Sequence, residues 1–105
     1  MNKKTGKKQP QYLDQAFDAV LQEMLATFIK KNKDYGKGNI LDTRELGIIF
    51  RMNDKVNRLK NLLITNKKPE NESIEETWLD LAVYAAIAIT LKRGQFDKLE
   101  LDPKV

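Results

Sequence analysis

The chain has 105 residues, 41% hydrophobic, 8% aromatic and 32% charged, with a formal net charge of +4; that composition suits one small globular domain and not a wholly disordered chain. It holds no Cys and no His, which excludes disulfides, thiolate nucleophiles, Ser–His dyads and the usual zinc ligands. Any metal must therefore take oxygen ligands, which points to magnesium, manganese or calcium.

Residues 1–10 hold Lys3, Lys4, Lys7 and Lys8 and no acid. They read as a disordered basic tail, either solubilising or able to touch a polyanion. No apolar leader follows it, since the Lys-rich start runs into Gln9-Pro10-Gln11, so the cytoplasm is the expected compartment.

From Gln11 the residues Leu13, Phe17, Val20, Met24 and Phe28 recur at helical spacing, with Ala16, Leu21 and Leu25 widening the stripe. The pattern predicts an amphipathic helix over 11–31. The run from Asn32 to Asn39, with two glycines and two asparagines, predicts a break and a loop. Its glycines would also let backbone amides approach a phosphate, although ordinary turns share that composition.

A second helix is expected over 43–65, starting after Asp42, which has Glu45 three residues on in a capping-box pattern. Its apolar positions Leu46, Ile49, Val56, Leu59 and Leu63 follow a period near 3.5, and Pro69 lies beyond its end. Arg51, Asp54, Lys55 and Arg58 form a mostly cationic face, expected opposite the apolar stripe.

Ser73 with Glu76 predicts the start of a third helix over 73–93, ending near Gly94. The last eleven residues read as a loosely held polar tail. No β-alternation, internal repeat or sustained heptad run is evident, so the fold class is all-α, a compact bundle of about three helices over 11–94.

From Thr77 to Leu91 the third helix has one formal charge, Asp80. A helix that is apolar on every side needs cover on every side, so a homo-oligomer built around this helix is expected. Its apolar core is too short and too charged to span a bilayer. Asp80 shares a face with Glu76 and Tyr84, and a buried carboxylate requires a cation or hydrogen-bond donors. The cations of the second helix supply that need; a metal is the other option. Glu76 has a plainer role available in the capping box.

Three runs carry a resemblance: Lys31-Asn32-Lys33-Asp34-Tyr35-Gly36, then Arg51-x-x-Asp54-Lys55-x-Asn57-Arg58-Leu59-Lys60-Asn61-Leu62, then Ser73-Ile74-Glu75-Glu76-Thr77-x-x-Asp80-Leu81-Ala82-x-Tyr84-Ala85. In this order they resemble the phage and bacterial nucleotide modification associated domain family. That family is distantly similar to the all-α nucleoside-triphosphate pyrophosphohydrolases of the MazG and dimeric dUTPase group. The resemblance covers roughly residues 20–92.

The pyrophosphohydrolase group implies carboxylates on two helices holding magnesium ions, which bridge a triphosphate and activate a water. Carried over, it implies catalytic roles for Asp80 and Glu76, at i, i+4 where the group has i, i+3. It implies Asp54, Glu76 and Asp80 as ligands where a metal is bound. Lys31, Arg51, Lys55 and Arg58 would face phosphates, and Tyr35 or Tyr84 would stack on a base or bond the sugar. Asp34 and Asn57, in the same runs, complete the nucleotide-binding set. The group's first acidic motif is absent, since the first helix offers only Asp14, Asp18 and Glu23.

Three readings follow. The first is a phage or bacterial nucleotide-binding protein, either a magnesium-dependent pyrophosphohydrolase or a non-catalytic sponge for a nucleotide defence signal. The second is a nucleic-acid-binding helical oligomer, and the third is a purely structural oligomer. The charge distribution bears on the choice: +4 over residues 1–10, −3 over 11–29, +7 over 30–68 and −4 over 69–105. A cationic middle of limited extent, backed by a buried acid, suits a small polyphosphate better than a long polyanion.

Overall fold

A computed structural model describes residues 9–105, so most of the expected basic tail lies outside the described residues. Among these, three α-helices form the domain: α1 (Leu13–Tyr35), α2 (Gly38–Thr65) and α3 (Ile74–Lys92). The all-α expectation holds.

Each boundary has a local cause. At the start of α1 the Gln15 side chain accepts from the backbone N–H groups of Gln11 (3.0 Å) and Tyr12 (3.2 Å). The helix runs four residues past the expected end, through Asn32, Lys33, Asp34 and Tyr35, because only Gly36 (φ 70°) leaves helical geometry. At α3 the capping box forms as expected: Glu76 N–H donates to Ser73 Oγ (3.0 Å) and Ser73 N–H to Glu76 Oε1 (2.9 Å).

Helix α2 departs from expectation at both its start and its packing face. It begins at Gly38 and breaks at Arg44 (φ 56°, ψ −142°), so Asp42 lies within an extra N-terminal stretch and caps no new helix. Glu45 pairs with Lys92 of α3 at 3.5 Å. Gly47 sits one turn past Thr43, so close that an added Cβ would lie 1.7 Å from Thr43 Oγ1 and 2.4 Å from Thr43 Cβ. Past the break, the buried stripe is Ile48, Leu59 and Leu62 with Met52 partly covered, whereas Leu46, Ile49, Val56 and Leu63 point outward. The 3.5-residue period in the sequence thus belongs largely to the outer face of α2. The inner face escapes a hydrophobicity scan because Lys55 interrupts it.

Helix α3 packs chiefly on α2 and to a lesser extent on α1. The core joins Ile40 and Ile48 of α2 to Val83, Ile87 and Leu91 of α3, with Met24 and Phe28 of α1 lying partly buried against it. Phe96, from the segment expected to be loose, completes this cluster. The Lys37 ammonium ties that segment down, donating to the carbonyls of Phe96 (3.2 Å) and Leu99 (3.0 Å) and to Glu100 Oε2 (2.9 Å). An apolar side chain set among polar neighbours leaves no periodic trace, so its anchoring is visible only in three dimensions. No described helix is long and apolar enough to cross a membrane.

Candidate functional site

Asp80 lies in the second turn of α3, on the side where all three helices approach one another. Its side chain keeps 12% of its surface exposed. Lys31 of α1 reaches Oδ1 at 3.1 Å and Lys55 of α2 reaches Oδ2 at 3.0 Å. The expected match between the buried acid and the cations of α2 therefore forms. Arg51, Lys55 and Arg58 are not on a solvated face opposite the core; they sit on or beside the packing face, where Glu72 and Asp80 meet Lys55 and Glu72 meets Arg58.

Lys55 is shared. It donates to Glu72 Oε1 (2.8 Å) and Oε2 (3.1 Å) as well as to Asp80. Glu72 also accepts from the hydroxyl of Thr77 (2.5 Å), a fully buried residue. Arg58 closes the far side, donating through Nε to Thr77 Oγ1 (3.2 Å) and through Nη2 to the Glu72 carbonyl. Among the described residues, no buried side-chain polar atom lacks a partner. A satisfied network of this kind locks the approach segment of α3 onto α2.

The charges reinforce one another. Burial alone would push the Asp80 carboxyl up, but hydrogen bonds and charge from Lys55 and Lys31 outweigh it and hold the group below its usual range. Glu72 behaves alike: burial raises it, and the bonds from Lys55 and Thr77 bring it below the ordinary value. For Lys55, burial pulls down while Glu72 and Asp80 push up, and the ammonium ends above its ordinary value.

Beside Asp80 a cleft of about 230 Å³ opens between the C-terminal end of α1, the start of α2 and the middle of α3. Five of the residues singled out from the sequence line it: Lys31, Tyr35, Arg51, Asp80 and Tyr84. Phe28, Ile87 and Phe96 give it an apolar floor, and Asn32 and Asn39 bring amide groups to its wall. Arg51 donates to the Asn39 carbonyl at 3.2 Å, which uses one of the five N–H donors a guanidinium carries.

The remaining sequence candidates lie elsewhere. Lys55 and Arg58 stand behind Asp80 in the network with Glu72 and Thr77. Glu76 is engaged in the capping box and borders a second hollow, of about 420 Å³, on the other side of Lys31 and Asp80 with Glu72. Asp34, Asp54 and Asn57 are exposed and do not line the cleft. Glu72, Thr77, Phe28 and Phe96 were not legible as site residues. Glu72 precedes the helix and so has no periodicity, although its place directly before the Ser73 cap is a usable signal.

A magnesium site does not fit this donor arrangement. Among the described residues no three carboxylates are placed so that they could hold one metal ion together. Asp80 and Glu72 face ammonium groups and Glu76 faces its helix terminus, so Asp54, Glu76 and Asp80 present no joint ligand set. Magnesium demands near-octahedral oxygen coordination, which here would require displacing both Lys31 and Lys55.

In comparison with known protein families, residues 31–91 match the family described as "Nucleotide modification associated domain 1". No curated protein and no solved structure matches the chain. The matched stretch contains Lys31, Arg51, Asp80 and Tyr84 and ends before Phe96.

Proposed function

The chain belongs to the nucleotide modification associated domain 1 family, and from that premise we propose that it binds a nucleotide in the cleft beside Asp80. The observation that carries this reading is the composition of one concavity: two tyrosines over an apolar floor, two cations and a desolvated carboxylate. Apolar walls with a few convergent polar groups are the usual make-up of a small-molecule site. A purely structural role for the Asp80 network would not require a cleft next to Tyr84.

In this reading a base stacks against Tyr84 or Tyr35 above Phe28 and Ile87. The Asp80 carboxylate has acceptor capacity beyond its two lysine bonds and takes a hydrogen bond from a sugar hydroxyl or an exocyclic amine. Arg51 and Lys31 meet the phosphates, Arg51 through its planar fork. Lys55 and Arg58 act indirectly, keeping Asp80 ionised and α3 in place.

Binding is supported better than hydrolysis. The acids needed for a metal are engaged with lysines or a cap. A domain that retains its nucleotide unaltered suits sequestration of a nucleotide or a nucleotide signal. The apolar surface left open on the helices supports such a domain working as a homo-oligomer.

A thermal-shift screen with nucleoside mono-, di- and triphosphates and cyclic nucleotides, with and without magnesium, tests the reading. A ligand at a hundred times its Kd stabilises by about 2.7 kcal/mol, and each kcal/mol moves the Tm of a domain this size by about 4–8 °C. No shift from any nucleotide would refute binding. Magnesium-dependent pyrophosphate release would replace the binding reading with the enzymatic one. Salt-steep affinity for duplex DNA without any mononucleotide shift would favour the nucleic-acid alternative.

A further inference from the structure

Among the cations around the cleft, Arg51 keeps most of its donors free. One N–H group is on the Asn39 carbonyl at 3.2 Å, and four remain. The charges nearby are committed elsewhere. Lys55 and Arg58 are held by Glu72, Asp80 and Thr77. Lys37 donates to the carbonyls of Phe96, Asp97 and Leu99 and to Glu100, and Lys33 donates to the Val105 carbonyl at 2.6 Å. Lys31 lines the cleft, with one of its three donors on Asp80. The lining therefore sets two cations against one carboxylate and has a single positive charge in surplus.

Resting on the nucleotide reading of this cleft, we propose that it grips its ligand through one phosphate group, so that nucleoside monophosphates are the ligand class and further phosphates add no affinity. A phosphate monoester carries about −1.5 to −2 charges at pH 7. The Arg51 fork meets two of its oxygens, and the free donors of Lys31 take the third. A second and a third phosphate would each bring more negative charge to a wall that includes the Asp80 carboxylate, with no uncommitted cation lining the cleft to receive it. Lys33, Lys37, Lys55 and Arg58 could serve such a chain only by giving up the bonds they already make.

The space agrees with the charge. The cleft measures about 230 Å³, below the ~300–1,000 Å³ usual for drug-sized ligands. Phe28, Ile87 and Phe96 with the two tyrosines take up the base, which leaves the Arg51 end for phosphate. A cyclic dinucleotide, with two bases and two phosphates, exceeds both the space and the charge.

Calorimetric titration of the full chain tests this with adenosine, guanosine, cytidine and thymidine, their 5′-mono-, di- and triphosphates, and cyclic dinucleotides, each with and without magnesium. For the base that binds best, the monophosphate should bind about tenfold or more tightly than its nucleoside, the worth of charge-assisted bonds to one phosphate. The di- and triphosphate should bind no more tightly than the monophosphate. Arg51→Ala should bring the monophosphate down to the affinity of the nucleoside and leave the nucleoside unchanged. Affinity that climbs about tenfold or more from mono- to triphosphate, or a cyclic dinucleotide that outbinds every monophosphate, would overturn the proposal while the cleft reading stands. Equal losses of nucleoside and monophosphate affinity in Arg51→Ala would overturn it too, since Arg51 would then act on the cleft and not on the phosphate. If no nucleoside or nucleotide binds at all, the cleft reading fails and this inference falls with it.

Discussion

Replacing Lys55 with Met keeps the length and apolar stem of the side chain and removes the charge at the centre of the network. Three N···O contacts vanish: two to Glu72 at 2.8 and 3.1 Å and one to Asp80 at 3.0 Å. The two carboxylates that shared the ammonium are then left without it. Glu72 keeps Thr77 and Asp80 keeps Lys31, which is half exposed and so contributes less than 1 kcal/mol. Removing one partner of a buried pair costs about 3–5 kcal/mol. Lys55 retains about a quarter of its exposure, and discounting for solvent screening gives about 2–3 kcal/mol at neutral pH. The measurement is urea unfolding of wild type and Lys55→Met across pH.

The direction of the pH dependence is fixed by the shifts. Asp80 and Glu72 are held below their ordinary values, so the stability they contribute is present above about pH 4. It is lost as pH falls through their lowered folded-state values. The variant lacks the cation chiefly responsible, so the two curves should be farthest apart near pH 7 and converge in acid. Lys55 is raised, so its contribution persists below its ordinary value of about 10.4 and is lost only as pH rises through the higher folded-state value. A variant within about 0.5 kcal/mol of wild type at pH 7, the range of an ordinary surface substitution, would refute the reasoning. A gap that widens in acid would refute it as well.

Other consequences are independent of that network. Gly47→Ala should destabilise by about 1–3 kcal/mol in chemical unfolding, because the new Cβ meets both Oγ1 and Cβ of Thr43. Thr43→Gly should relieve much of that cost, whereas Thr43→Ala, which keeps the Cβ, should not. Lys37→Met should speed amide exchange over residues 96–100 more than in α3, since one ammonium holds several acceptors of that segment. Arg51→Ala should weaken nucleotide affinity about tenfold or more, while unfolding free energy changes by less than about 1 kcal/mol, because its structural role is one bond to Asn39.

Helix number, order and class were legible because two helices carry an apolar period, the third is a long apolar run opened by the Ser73–Glu76 box, and the run from Asn32 to Asn39 and Pro69 separate them. The Asp80 pairing was legible too, since an acid in an apolar helix and cations at helical spacing in its neighbour each lack what the other offers. The packing face of α2 was not. Its outer residues Leu46, Ile49, Val56 and Leu63 form the cleaner pattern, and Lys55 disguises the inner one. The cleft was half visible: Lys31, Tyr35, Arg51, Asp80 and Tyr84 belong to motifs, but Phe96 lies past the matched family region in a polar segment. Glu76 could be read as cap or ligand, and the capping bonds account for its present position.

The central claim, a nucleotide cleft beside Asp80, is tested most directly by a two-dimensional NMR titration with the nucleotide that gives the largest thermal shift. The account predicts saturable shifts confined to the amides around Lys31, Tyr35, Asn39, Arg51 and Tyr84. It is contradicted if those amides stay unmoved, or if the changes gather instead at the basic end of α2 around Lys60, Lys67 and Lys68.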